Sequence, residues 1–179
     1  MRKVVLYELL SLDGVAEEPG DWMRDSEQPI FDNLEGIIER QDDVLLGRHT
    51  YDYWAGYWPT SDIEPFAGFI NGTPKHVFTS REMTPEWAKT IIVDRPATEY
   101  VAELKQADGG DIGIHGSITL AQSLLAGGLV DELRLVVAAA IAGSGNRLFD
   151  AVGEHHGLEL AEADHTPKGT MLLTYNAGD

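Results

Sequence analysis

The stretch DIGIHGSITL, residues 111–120, decides the fold class. Its first five residues have the apolar, β-branched character of a short buried strand, and a helical pattern begins at Ser117 after a single glycine. A strand that passes directly into a helix is typical of α/β proteins, in which helices cover a mostly parallel sheet. We therefore predict a strand at residues 111–115 and a helix from residue 117 to about residue 126.

Strands and helices alternate along the rest of the chain as well. Seven further segments have strand character, at residues 3–12, 43–47, 75–80, 90–94, 132–141, 158–163 and 169–176. Helical spacing of apolar residues appears at residues 25–41 and 97–106. No helix separates the last two strands, so we expect them to pair antiparallel at one end of the sheet. The aromatic, Pro- and Gly-containing residues 51–73 are expected to form a long, partly ordered excursion.

Composition narrows the possible functions. The 179 residues are 43% hydrophobic, which fits a single domain spanning residues 1–179. A net charge of −17 argues against nucleic-acid binding, which requires basic residues. The sequence has no cysteine, no zinc-type spacing of histidines and no apolar run long enough to cross a membrane. We expect a cytoplasmic protein with no metal site and no membrane partner.

The end of the strand at residues 43–47 is the first of three strand ends whose chemistry suits a phosphate group. Gly47 would let the backbone approach a ligand, and Arg48 and Thr50 add a charge and a hydroxyl where a helix begins. Free backbone N–H groups at a helix N-terminus and an arginine both attract phosphate. An ordinary strand-to-helix turn with a surface arginine explains this segment equally well.

The strand at residues 75–80 ends in a second polar set, Thr79, Ser80 and Arg81. Two hydroxyls and an arginine suit a phosphomonoester, and arginine commonly binds the 2′-phosphate that distinguishes NADP from NAD. A surface loop could carry the same residues.

The third strand end lies within the stretch quoted first. Gly116 permits close approach of a ligand, Ser117 can cap the following helix, and the helix N-terminus at Ile118 favours a pyrophosphate. The dinucleotide fingerprint G-x-G-x-x-G is absent. Ligands of open α/β sheets bind at the carboxyl ends of the strands. Three such ends side by side would hold a dinucleotide.

Two further features are candidates for contact with a substrate. Asp13, in the Asp-Gly turn that follows the first strand, could orient a polar substrate or relay a proton, although a structural turn explains it as well. Tyr51 and Trp54 belong to an aromatic cluster that could wall a pocket for a flat ring. Packing in the core or in a dimer is the more frequent use of such aromatic residues.

These segments together resemble the dihydrofolate-reductase-like superfamily, in the branch of the riboflavin-biosynthesis reductase C-terminal domain and its stand-alone relatives. The resemblance rests on an ordered series of motifs, namely SLDG at 11–14, GRHTY at 47–51, TSR at 79–81, GS at 116–117, GLVDELRL at 128–135 and GSGNRLF at 143–149. It implies an α/β fold with a mostly parallel eight-stranded sheet, flanking helices and an antiparallel C-terminal strand. It also implies NADPH as the cofactor and, in many relatives, a homodimer.

By this resemblance, the 47–50 turn, residues 80–81 and residues 116–117 contact the cofactor phosphates, and Asp13 lies in a substrate-side loop. The implied reaction transfers hydride to a C=N or C=O bond of a small, flat, pterin- or pyrimidine-like substrate. The alternatives are reduction of 5-amino-6-(5-phosphoribosylamino)uracil, reduction of dihydrofolate, and ligand binding without catalysis. Riboflavin-pathway reductases commonly have a basic residue where this chain has Val15, which weakens the case for a ribosyl-phosphate substrate.

Overall fold

The computed structural model describes residues 1–153 and 155–178. The strands are β1 (Val4–Leu10), β2 (Gln41–Gly47), β3 (Lys75–Phe78), β4 (Thr90–Val93), β5 (Asp111–His115), β6 (Glu132–Val137), β7 (Leu158–His165) and β8 (Met171–Ala177). The helices are α1 (Pro19–Trp22), α2 (Gln28–Ile38), α3 (Arg48–Ala55), α4 (Phe66–Gly72), α5 (Ala97–Leu104) and α6 (Ile118–Ala126), with a 3₁₀ turn at Trp58–Thr60.

The eight strands form one sheet in the order β4-β3-β2-β5-β1-β6-β8-β7. Strands β1 to β6 run parallel, whereas β8 pairs antiparallel with both β6 and β7. The predicted mostly parallel eight-stranded sheet, with antiparallel pairing at its C-terminal end, is confirmed.

Helices cover the two faces of the sheet in two groups. Val5 and Tyr7 of β1 pack against Ile30 of α2, and α3 and α4 lie on the same face, where they meet Val44 and Leu46 of β2. Val4 and Leu6 of β1 face the other way, in the core cluster that contains Val101 of α5 and Leu124 of α6. Strict alternation of side chains along a strand produces this division.

The neighbouring strands β1 and β5 send the chain to opposite faces of the sheet. β1 leads to α2 on one face and β5 leads to α6 on the other. A crevice opens between two such strands at their carboxyl ends, and ligands of open α/β sheets bind there. The fold therefore places a binding crevice beyond Tyr7 and His115, the last residues that pair β1 with β5.

The expectation of a partly ordered excursion at residues 51–73 was wrong. The segment contains most of α3, the 3₁₀ turn and α4. It is ordered because Tyr51, Phe66 and Ile70 are buried against apolar side chains of β2 and β3, and each fully buried side chain of this size contributes ~1.5–3 kcal/mol.

The longest helix of the described chain, α2, has 11 residues. None of the helices in the described ranges is long and apolar enough to span a lipid bilayer.

Candidate active site

A cleft of about 1290 Å³ opens at the carboxyl ends of neighbouring strands. Each strand contributes a residue at or near its end, namely Phe78 from β3, Gly47 from β2, His115 from β5 and Glu8 from β1. The volume exceeds the ~300–1,000 Å³ typical of a site for one small ligand. The cleft is large enough for two ligands side by side.

The three strand ends singled out in the sequence are adjacent. β2 lies between β3 and β5, with Gly47 in register with Phe78 and Leu45 in register with Ile114. The prediction that these ends lie side by side is confirmed. Their loops, however, do not all enter the cleft.

At the first strand end, the predicted residues line the cleft. Gly47 is the N-cap of α3, and Arg48 and Thr50 lie in its first turn. The Arg48 Nε donates to both carboxylate oxygens of Asp52 at 2.8 Å. A Cβ on Gly47 would meet nothing in the described chain closer than the Ser117 Oγ, at 3.7 Å. Protein packing therefore does not require a glycine at this position.

At the third strand end, Gly116, Ser117 and Ile118 also line the cleft. Ser117 does not cap α6 as expected, because its Oγ accepts a hydrogen bond from the Gly47 N–H at 2.9 Å. This bond ties the two strand ends together and leaves the first-turn amides of α6 without a side-chain cap among the described residues. Gly116 has a φ of +73°, a conformation that favours glycine.

The second strand end behaves differently. β3 ends at Phe78, and Thr79, Ser80 and Arg81 are not among the residues that line the cleft. The Thr79 hydroxyl accepts from the Arg81 N–H and donates to the Arg81 carbonyl, both at 3.1 Å. These bonds close a tight turn and occupy the hydroxyl that we had assigned to a phosphate. Arg81 is exposed and follows Phe78, which lines the cleft, by three positions.

Asp13 lies outside the cleft lining, and its role in orienting a substrate or relaying a proton stays a prediction. Its carboxylate accepts hydrogen bonds from the Ser11 hydroxyl at 2.7 Å and from the amides of Ala142 and Gly143 at 2.9 and 3.0 Å. These bonds lower the pKa of Asp13 to about 2. The group is ionised at neutral pH and holds the 142–143 loop.

The two aromatic candidates are separated by the structure. Trp54 lines the cleft, whereas Tyr51 is buried in the core and does not. The Tyr51 hydroxyl accepts from the backbone N–H of Trp87 at 3.2 Å. Both side chains contact the same apolar cluster, but Tyr51 is buried within it whereas Trp54 packs at its border, where it reaches the cleft.

The family model of the RibD C-terminal domain matches residues 2–172. The chain belongs to this family.

Known proteins that resemble this RibD C-terminal domain include the uncharacterized protein YyaP of Bacillus subtilis strain 168, which is 27% identical over 98% of this chain and 95% of its own. A solved structure from Shewanella sp. PV-4, provisionally named for riboflavin biosynthesis, superposes with a TM-score of 0.81 at 18% identity over 99% of both chains. The Thermotoga maritima protein named diaminohydroxyphosphoribosylaminopyrimidine deaminase/5-amino-6-(5-phosphoribosylamino)uracil reductase gives a TM-score of 0.71 at 16% identity, with 99% of this chain and 57% of that chain covered. These likenesses establish the dihydrofolate-reductase-like fold.

The residues of this RibD C-terminal domain that line the cleft but were not selected from the sequence include Glu8, Phe66 and His115. The His115 Nε2 lies 2.7 Å from the Gln41 Oε1, and burial lowers the pKa of His115 to about 3. Its neutral ring packs 5.2 Å from the Phe66 ring, centroid to centroid. His115 is therefore part of an uncharged wall. The sequence gives one signal for Glu8, a charged residue inside an otherwise apolar strand.

Charge is divided unevenly within the cleft. Arg48 is the one Arg or Lys among the described residues that line it. Four carboxylates lie on the segments around α1, α2 and α4, namely Glu17, Glu18, Asp25 and Glu64. Asp52 of α3, which pairs with Arg48, also lines the cleft. A phosphate would be attracted to Arg48 and repelled from these carboxylates.

Proposed function

We propose that this RibD C-terminal domain is an NADPH-dependent reductase that acts on a C=N or C=O bond of a small, flat, unphosphorylated substrate. The observation that carries the proposal is the junction of two strand ends at one large cleft. There, the first turns of α3 and α6 lack a side-chain cap among the described residues. Uncapped helix N-termini bind the phosphates of dinucleotides.

The residues present fit the cofactor. The amides at Arg48 and Ile118 would bind phosphate groups, Gly47 leaves space for a ligand against the backbone, and the Arg48 guanidinium supplies a positive charge. Arg81, exposed beyond the end of β3, is the candidate for the 2′-phosphate. When bound, NADPH supplies the hydride.

The other half of the cleft suits an aromatic substrate. The rings of Trp54, Trp58 and Phe66 pack edge to face and, with His115, form an apolar wall. The Trp58 Nε1–H is buried and has no acceptor among the described residues. A flat ring that carries a hydrogen-bond acceptor would satisfy this donor.

The charge of the cleft lining disfavours a ribosyl-phosphate substrate. The lining carries the four carboxylates named above, which would repel a phosphorylated substrate. Val15, where a basic residue is common in riboflavin-pathway reductases, is fully buried and bridges to Arg147. We therefore expect 5-amino-6-(5-phosphoribosylamino)uracil to be a poor substrate, and dihydrofolate or a similar unphosphorylated ring to be a better one.

The first test uses calorimetry to measure the binding of NADPH and of NADH to the purified protein. Gly47→Ala should weaken the binding of NADPH by about tenfold or more, because the added methyl group would take up space that the ligand needs. The melting temperature should stay unchanged, since the protein leaves room for this methyl group. Undiminished affinity in Gly47→Ala would place the phosphates elsewhere.

A second pair of variants tests the 2′-phosphate. Arg81→Ala should weaken NADPH by about tenfold and leave NADH unchanged, because only NADPH offers a phosphate to the guanidinium. Arg40→Ala is the matched control, since Arg40 precedes β2 at the opposite edge of the sheet. A screen of pterin and pyrimidine substrates for NADPH oxidation then separates a reductase from a binding module without turnover.

A further inference from the structure

Glu8 occupies the crevice between β1 and β5. β1 pairs with β5 only as far as Tyr7, opposite His115, and Gly116 then turns the chain away toward α6. β1 continues to pair with β6, where Glu8 lies opposite Leu135. Glu8 is thus the first residue of β1 beyond the end of its pairing with β5.

The Glu8 side chain lies on the face of the sheet that α6 covers. Val4 and Leu6, which share its side of β1, pack in the cluster that contains α6. From α6, Leu120 and Ser123 line the same cleft. Glu8 is therefore on the face that carries the uncapped N-terminus of α6, and the aromatic wall of His115 and Phe66 is on the other.

One oxygen of the buried Glu8 carboxyl group has no partner in the described chain, although the group interacts with the backbone of Leu9. Glu8 is only 4% exposed, and its Oε2 has no hydrogen-bond partner among the described residues. A buried polar atom without a partner is rare in native proteins and calls for a partner outside the chain, such as a ligand, an ion or an ordered water. Because Glu8 also lines the cleft, the missing partner would come from a ligand in the crevice.

We propose that Glu8 positions the nicotinamide ring of the cofactor, its carboxyl group donating a hydrogen bond to the carboxamide oxygen. The proposal rests on the proposed function, since it assumes that a nicotinamide cofactor binds here. A ligand whose phosphates sit at the N-terminus of α6 extends along that face toward β1. The first polar side chain it meets there on the sheet is Glu8, on the side of the crevice opposite the aromatic substrate wall.

A donating carboxyl group must carry a proton, and the surroundings of Glu8 favour this form. Desolvation by burial raises the pKa of Glu8 to about 8. On the packed elements, Leu135 of β6 and the lining residues of α6 are not titratable, and His115 of β5 is neutral. Tyr7 is also uncharged, because burial raises its pKa. The charged groups Arg48, Glu17 and Glu18 lie farther out, around the cleft.

The test compares NADPH with 2′-phospho-ADP-ribose, which has the same phosphates but no nicotinamide. Calorimetric titrations at pH 7 and pH 9 would use wild type, Glu8→Gln, Glu8→Leu and, as a control for loss of one charge, Glu18→Gln. Between pH 7 and pH 9, wild type should lose about tenfold in NADPH affinity, because only the protonated fraction of Glu8 binds. At pH 9, binding of NADPH to wild type should take up about one proton.

Glu8→Gln keeps a donor, so it should bind NADPH well at both pH values and lose the proton uptake. Glu8→Leu should weaken NADPH by about tenfold and leave 2′-phospho-ADP-ribose unchanged. Glu18→Gln should affect both ligands equally. If wild type binds NADPH but Glu8→Gln shows the same pH dependence and proton uptake, Glu8 does not hold the ring. If wild type binds neither ligand, the proposed function itself is wrong.

Discussion

Replacing Glu8 by Gln should make the protein more stable, and increasingly so as the pH rises from 5 to 8. Burial raises the pKa of this carboxyl group from 4.5 to about 8 in the folded protein. In the unfolded chain, the carboxyl group loses its proton near its ordinary pKa of 4.5. Between these two values the unfolded state binds fewer protons than the folded state, so the free energy of unfolding falls as the pH rises.

The size of the effect follows from the width of this window. Each pH unit inside it changes the free energy of unfolding by about 1.4 kcal/mol. From pH 5 to pH 7, wild type should therefore lose about 3 kcal/mol relative to Glu8→Gln, which has no proton to lose. Below pH 4.5 both states are protonated, and above pH 8 both are ionised, so the difference should be flat there. A loss of this size is a large fraction of the ~5–15 kcal/mol that stabilises a typical domain.

Urea unfolding at pH 5, 6, 7 and 8, followed by tryptophan fluorescence, measures the difference between the two proteins. Other titrating groups such as His115 are present in both, so their contributions cancel. The reasoning about Glu8 is refuted if the stability difference between wild type and Glu8→Gln is the same at pH 5 and at pH 7. In that case the carboxyl group is solvated, and its unpartnered oxygen has water for a partner.

Three further predictions concern other groups around the cleft. Ser117→Ala should lower the free energy of unfolding by about 1–3 kcal/mol, measured in urea, because the Gly47 N–H loses its acceptor. Folded His115 stays neutral down to about pH 3, so the fold loses stability as the pH falls below the ordinary histidine pKa near 6.5. The expected loss is about 1.4 kcal/mol per pH unit between pH 6 and pH 4. His115→Gln should remove this loss, which unfolding at pH 6 and at pH 4 would measure. Asp13→Asn should speed amide hydrogen exchange at residues 142 and 143, whose amides donate to the carboxylate. Unchanged exchange would show that the structure of this loop does not depend on the Asp13 carboxylate.

The sheet could be predicted because most strands carry an apolar run, and the three phosphate-suited ends could be placed together because parallel strands end at one edge. The strand order explains why this worked, since β3, β2 and β5 are neighbours. The direction in which each loop leaves the edge was not predictable. The hydroxyl of Thr79 bonds within its own turn, and that of Ser117 reaches Gly47, 70 positions away in the sequence.

The substrate side was harder to predict because its residues depend on long-range contacts. The carboxylate of Asp13 is held by amides 129 and 130 positions away, which no local pattern reveals. Tyr51 and Trp54 look alike in the sequence, and only the packing of α3 on the sheet decides which one faces the cleft. Glu8 was visible as a charge within an apolar strand, but its meaning required the knowledge that β5 ends beside it.

The division of charge in the cleft bears on how an acidic protein could hold an anionic cofactor. With a net charge of −17, the protein as a whole repels phosphate. Attraction must therefore come from short-range groups, which here are the first-turn amides of α3 and α6 and the guanidinium of Arg48. The other carboxylates of the lining, such as Glu17 and Glu64, would repel a phosphate placed beside them. The same carboxylates would disfavour phosphorylated substrates, so a single arrangement of charge would affect both the position of the cofactor phosphates and the class of the substrate.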